Sequence, residues 1–239
     1  MVLLSGEGWL FLLRWFHFLA GIMWIGLLYY FNFVQTPFFA ETEPPVRSGA
    51  VQKLVPRALW WFRWAALFTF LTGFLIILHR LGQMGWSAWW GSSYGWTISL
   101  GGLLGTIMML NVWGVIWPNQ KVVIANALQT AKGGPAIPDA AARGRRGALA
   151  SRTNVVFSIP MLFYMGAASH LNLVRPNSSG KAWMAILAVI IIALVEVNAL
   201  TGSQGATKKP LDTIPGTVTA GFILAVVFYF MFEIFLRTM

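Results

Sequence analysis

Apolar runs of about twenty residues, enough to cross the roughly 30 Å hydrocarbon core of a bilayer as helices, recur six times in this chain. They fall near residues 9–34, 58–80, 95–117, 153–172, 182–202 and 215–237. A soluble protein would cover such runs with charge. Here 57% of the 239 residues are hydrophobic, 10% are charged and only seven are acidic. The expected fold class is therefore all-α, a polytopic transmembrane helix bundle of about six spans. No connection has room for a soluble domain, so residues 1–239 read as a single integral membrane domain. The first run lacks the basic n-region and small-residue cleavage site of a signal peptide and is expected to be a retained helix. No internal repeat is visible.

The formal charge of +10 does not point to nucleic acid, because the basic residues stand in the connections between apolar runs. Eleven Lys and Arg, from Arg47 to Lys209, follow the first, third and fifth runs, whereas the other side holds four: Arg80, Arg175, Lys181 and Arg237. The positive-inside rule then puts both termini outside and the basic 118–151 loop in the cytoplasm, as in a multi-pass protein of a bacterial inner membrane. In that loop Gly133, Gly134 and Pro135 break the chain, and Asp139 is placed to cap a short helix. Arg143, Arg145 and Arg146 suit that helix to an anionic lipid surface. The uncharged 81–94 connection, with Trp86, Trp89 and Trp90, reads as an aromatic belt on the outer surface.

The absence of cysteine excludes iron–sulfur clusters and covalently attached c-type haem. Non-covalent haem b remains open through the three histidines, His17, His79 and His170, which this topology puts in the outer half of the membrane. Neutral imidazoles in a bilayer are uncommon and serve ligation or proton transfer more often than most side chains. Arg14, His17, Gly21 and Trp24 follow three- and four-residue steps along one helix face. That face supplies a ligand, a small residue for close approach and a cation for carboxylates. It is equally the pattern of a helix-packing seam in which His17 bonds a neighbour. The candidate cofactor site is His17 and His170 as metal ligands, with Arg14 or Arg80 holding haem propionates. His79, beside Arg80 at a span end, also reads as an interfacial pair.

Charges inside the spans are expected to pair by depth, Arg63 with Glu196 and Arg14 with Glu233. A proton-path role is the sharper reading of Glu196. Asn111, Asn154 and Asn198 read as interhelical hydrogen-bonding residues.

Four strings carry a resemblance: RWFHFLAGIMWIG (Arg14–Gly26), VPRALWWFRWAALFTFLTG (Val55–Gly73), NVWGVIWPNQKVV (Asn111–Val123) and SRTNVVFSIPMLFYMGAASH (Ser151–His170). They resemble the N-terminal membrane domain of the cytochrome-c-type urate oxidases (urate hydroxylases). The first also has a weaker likeness to the membrane haem-binding protoporphyrinogen oxidases. The resemblance implies a membrane domain of eight or so helices coupled to a C-terminal cytochrome c domain through which electrons from urate leave. It carries His17 and His170 over as matching histidines, and Arg152 with Asn154 as a polar pair opening the fourth span. Two departures stand out. Thr153 occupies a position where the family pattern often has histidine, and no cysteine is present for a cytochrome c domain.

Two functions of different class follow. One is a membrane redox protein holding haem b in its outer half and passing electrons to a periplasmic c-type cytochrome. The other is a non-catalytic structural or assembly subunit of a larger respiratory or photosynthetic membrane complex.

Overall fold

The computed structural model describes residues 2–175 and 179–238, and every regular element among them is helical. Six long helices carry the fold: α1 (Gly6–Glu41), α2 (Val55–Met84), α3 (Ser93–Ala131), α4 (Ala140–His170), α5 (Lys181–Leu200) and α6 (Ile214–Arg237). Short helices at Pro44–Lys53, Trp86–Gly91 and Lys209–Asp212 fill connections. Local chemistry sets the boundaries. Ser5, Ser92 and Thr213 each accept a hydrogen bond from a backbone N–H of the first turn they cap. Gly85 ends α2 at φ 76°, a left-handed conformation that side chains with a Cβ disfavour.

Five of the six long helices are both long and apolar enough to cross a membrane; the exception is α4. Its 31 residues have the length, but it faces protein instead of lipid. Thr153, Asn154 and Ser158 on α4 are fully buried, as are Val155, Phe157 and Tyr164. The helix therefore forms the bundle's core, with α3 and α6 packed closely against it. At Gly221 on α6, an added Cβ would lie 3.1 Å from the Val156 carbonyl oxygen and 2.5 Å from Ile159 Cδ1, so glycine permits this approach. Large apolar side chains such as Phe18, Ile22, Val189 and Phe222 cover the outside, as expected of a lipid-facing surface. The chain is a multi-pass membrane protein.

Successive long helices alternate in direction. At one end, the amide of Leu173 donates to Ser93 Oγ (2.8 Å) and that of Arg175 donates to the Leu236 carbonyl (2.8 Å). At the other, Arg145 bonds Asp212 (2.7 Å) and Arg152 Nη1 donates to the Leu211 carbonyl (2.8 Å). The first is called here the histidine end and the second the basic end.

Two expectations change. The stretch around Arg143, Arg145 and Arg146 is the first part of α4 itself and not a separate surface helix. Nothing between Ala140 and the apolar run breaks a helix, and Arg145 and Arg152 anchor the stretch to the 203–212 connection. The Trp-rich connection is folded inward in part. Trp86 is exposed, but Trp89 is buried and donates from Nε1 to Ser99 Oγ at 3.2 Å. A lone indole N–H in hydrocarbon is costly, and α3 supplies its acceptor.

Candidate functional site

α1 and α2 pack along their length, and His17 lies on that seam. Its Nδ1 stands 2.9 Å from the Thr69 carbonyl oxygen and 3.1 Å from Thr72 Oγ1. A carbonyl oxygen can only accept, so the proton is on Nδ1 and the lone pair on Nε2. A Cβ added at Gly73 would come within 2.9 Å of His17 Cε1, so the ring occupies space that only glycine leaves. Gly21 opens toward the Thr69 methyl, while Trp24 is buried. Arg14 is exposed, one helical turn before His17.

The other two histidines stand nearer the ends of their helices. His170 is exposed as the last residue of α4. His79, on α2, is half-buried, and its Nε2 is buried without a hydrogen-bond partner. Neighbouring Arg80 donates to Gln83 Oε1 at 3.0 Å. Arg14 and Arg80 both act electrostatically on Tyr94 at the start of α3, which brings the two guanidiniums to the same corner of the histidine end. Among the described residues no group of three or more His, Cys, Asp or Glu side chains is arranged to hold a metal ion.

Both charge pairs expected from depth are replaced by others. Glu196 Oε2 accepts from Asn111 Nδ2 at 3.0 Å. The Arg63 guanidinium instead lies 4.0 Å from the centre of the Trp117 ring and 5.7 Å from that of Trp113, whose indole N–H donates to the Arg63 carbonyl. Helix α5, which carries Glu196, packs on α4, whereas α2, which carries Arg63, packs on α1 and α3. The aromatic faces stabilise the cation there. Glu233 likewise pairs with Arg237 one turn on, at 3.1 Å, because α6 packs on α4 and α1 on α2.

Asn111 and Asn154 do bond across helices. Asn111 Nδ2 donates to Asn154 Oδ1 at 3.0 Å, and Asn154 Nδ2 donates to the Met108 carbonyl at 2.9 Å. Together with Glu196 they tie α3, α4 and α5. Asn198 serves locally, bonding Lys208 and the Thr207 carbonyl in the connection after α5. Beside Asn154, Thr153 is fully buried and its Oγ1 has no partner.

At the basic end the bundle holds a partly open pocket of about 150 Å³, lined by residues that include Asn32, Gln35, Phe62, Arg145, Arg152 and Asp212. Sequence reading missed it. Its traces are the three-residue spacing of Asn32 and Gln35 and the seven-residue spacing of Arg145 and Arg152, each of which repeats on one helix face. Proline shapes the wall. Pro37 and Pro118 have no N–H and crowd the carbonyl four residues back, and π-helical turns at Tyr30–Gln35 and Val112–Ile116 precede them. The widened turn of α1 contains both Asn32 and Gln35. Asn32 Nδ2 donates to the Leu28 carbonyl and to Ser151 Oγ, both at 2.8 Å, joining α1 to α4.

No curated protein and no solved structure matches this chain. A family model, described as urate oxidase N-terminal, matches residues 83–231, from the last turn of α2 through most of α6. The matched stretch includes Asn111, Arg152, Asn154, His170 and Glu196; His17 lies before it. It covers more than half of the chain and the whole of its buried core helix, so the chain belongs to the urate oxidase N-terminal family.

Proposed function

We propose that this membrane domain is redox-active, holding a b-type haem near its histidine end and passing electrons from a small organic reductant, urate by family, to a periplasmic c-type cytochrome. The observation that carries the reading is the state of His17. With Nδ1–H donated to the Thr69 carbonyl at 2.9 Å, Nε2 keeps its lone pair and the ring is held in one tautomer and orientation. Ligating histidines in proteins are commonly fixed through their second nitrogen in this way. His170, at the same end on α4, is the second ligand in this reading, and Arg14 and Arg80 supply guanidiniums for propionates. The haem would provide a one-electron carrier. The chain's own part is to orient the imidazole, place cations at the rim and shield the site with apolar helices.

In the same reading the basic end faces the cytoplasm of a bacterial inner membrane and both termini lie outside, supported by the eleven-to-four distribution of Lys and Arg. A C-terminal phosphatase fusion, active only outside, tests that orientation; an inactive fusion at normal expression reverses it.

One observation favours the alternative of a non-catalytic subunit in a larger complex. The face with His17 and Gly21 packs against α2, so a seam alone accounts for the residues on it. A reduced-minus-oxidised absorption spectrum of the purified protein separates the two. A sharp α-band that appears on reduction, and is lost on adding oxidised cytochrome c, supports the redox domain. A featureless visible spectrum supports the scaffold.

A further inference from the structure

The basic-end pocket has a polar mouth and an apolar floor. Asp212 is exposed and Arg145 half-exposed, so these two mark the mouth, whereas Leu59, Phe62 and Ile116 are buried at the floor. Arg145 and Asp212 neutralise each other, with Nη2 on Oδ1 at 2.7 Å. Arg152, half-buried in the same lining, joins none of the ion pairs among the described residues. Asp212 acts on it only through space. The one hydrogen bond of the Arg152 side chain runs from Nη1 to the Leu211 carbonyl at 2.8 Å. Its Nε–H and Nη2–H bond no described residue, and neither is sealed from water. The side-chain amide of Gln120, on α3, is unbonded and open to water in the same way.

These groups select a ligand class. Nε and Nη2 form the side-on edge of a guanidinium, which the two oxygens of one carboxylate match with parallel hydrogen bonds. A half-buried cation without an acid beside it calls for a negative charge. The lining has two arginines and one aspartate, so it carries one net positive charge and suits a monoanion. A phosphate group carries more than one charge at neutral pH and would set polar oxygens against the apolar floor. At about 150 Å³ the space is well below the roughly 300 Å³ at which drug-sized sites begin. A ligand of a few heavy atoms fits it, and a nucleotide or a lipid headgroup with its glycerol does not. We propose that this pocket binds a short monocarboxylate entering from the basic end. Arg152 holds the carboxylate side-on, Gln120 offers a further N–H, and Leu59, Phe62 and Ile116 cover the apolar body. The site is independent of the redox reading, and binding requires no haem.

The test is a titration of the full chain in detergent with butyrate, followed by saturation-transfer NMR. Saturable binding is expected, and butyramide, similar in shape but neutral, should bind at least about tenfold more weakly. Arg152→Gln should weaken butyrate about tenfold or more. Ala148→Phe, at an exposed position of the lining, should do the same by filling the space. That variant removes no side-chain hydrogen bond, so it remains informative if Arg152→Gln misfolds. Inorganic phosphate at millimolar concentration and phosphatidylglycerol should not displace butyrate. The proposal is overturned if butyrate binding does not saturate, or if butyramide binds equally well. It is also overturned if either folded variant binds butyrate like the parent, or if phosphate or phosphatidylglycerol displaces it. None of these readouts involves haem, so failure of the redox reading would leave the pocket standing, and failure here would leave the redox reading untouched.

Discussion

The two ends of the bundle solve the problem of polar groups in a membrane differently. At the basic end, side chains from several helices converge. Asn32 bonds Ser151 across α1 and α4, Arg145 and Arg152 clasp the connection before α6, and the Asn111–Asn154–Glu196 network lies just above. At the histidine end three side chains are settled close to home: His17 on the adjacent helix, Arg80 on Gln83, Glu233 on Arg237. A network spanning several helices fixes a pocket that cannot change shape without losing several bonds together. An imidazole held by a single neighbour keeps its other nitrogen for something else. The basic end is thus tied together across several helices, and the His17 ring at the histidine end is fixed through one nitrogen.

The largest effect expected from breaking this arrangement is on the core that supports both ends. Gly221→Leu would drive side-chain atoms into Ile159 and the Val156 carbonyl, and should cost on the order of 3 kcal/mol or prevent folding. Denaturation in mixed micelles measures it; a loss below about 1 kcal/mol would mean that α6 does not lie so close to α4.

Next is Glu196→Ala, which removes the acceptor for Asn111 and should cost about 1–3 kcal/mol. Adding Arg63→Ala should give an additive loss, within about 0.5 kcal/mol, since the two residues share no partner. Rescue of Glu196→Ala by Arg63→Ala would restore the depth-matched pair and contradict the comparison.

That double variant also shows where sequence stops being informative. Depth in the membrane can be counted along a helix at about 1.5 Å per residue, and Arg63 and Glu196 do match in depth. Pairing also needs two helices to be neighbours, and no periodicity shows that α5 packs on α4 while α2 packs on α1 and α3. Long apolar runs made the helices legible because a continuous apolar run of about twenty residues crosses hydrocarbon as a helix, which satisfies every backbone hydrogen bond within the segment. The special place of α4 was half visible, in the Thr153, Asn154 and Ser158 that lower its apolarity. The His17 face was legible from its three- and four-residue spacing. The pocket was not, because Asn32, Gln35, Arg145 and Arg152 converge only once four helices and two π-helical turns are in place.

Thr153→Val tests whether the orphan hydroxyl beside the network has a use. It replaces an unpartnered buried group with an apolar one of similar shape, so stability should be unchanged or rise by up to about 1 kcal/mol. A clear loss of stability would reveal a hydrogen bond to Thr153 in the folded protein.

The smallest effect belongs to the exposed pair at the start of α4. Arg143 beside Asp139 holds that carboxyl below the usual carboxylate range. A depressed carboxylate contributes stability above its unfolded value and loses it as pH falls through the folded one. Asp139→Asn should therefore lower the thermal midpoint slightly near pH 7 and leave it unchanged near pH 2. An equal shift at both pH values would rule out the ion pair as the cause.

The redox reading depends most directly on one measurement: haem content of the purified parent and of His17→Ala, with helical content checked by circular dichroism. The account predicts about one b-type haem per chain in the parent, none in His17→Ala, and an unchanged helical spectrum in both. Equal haem in the two proteins, or none in the parent after expression with haem supplied, would contradict it and leave the histidine end as a packing seam.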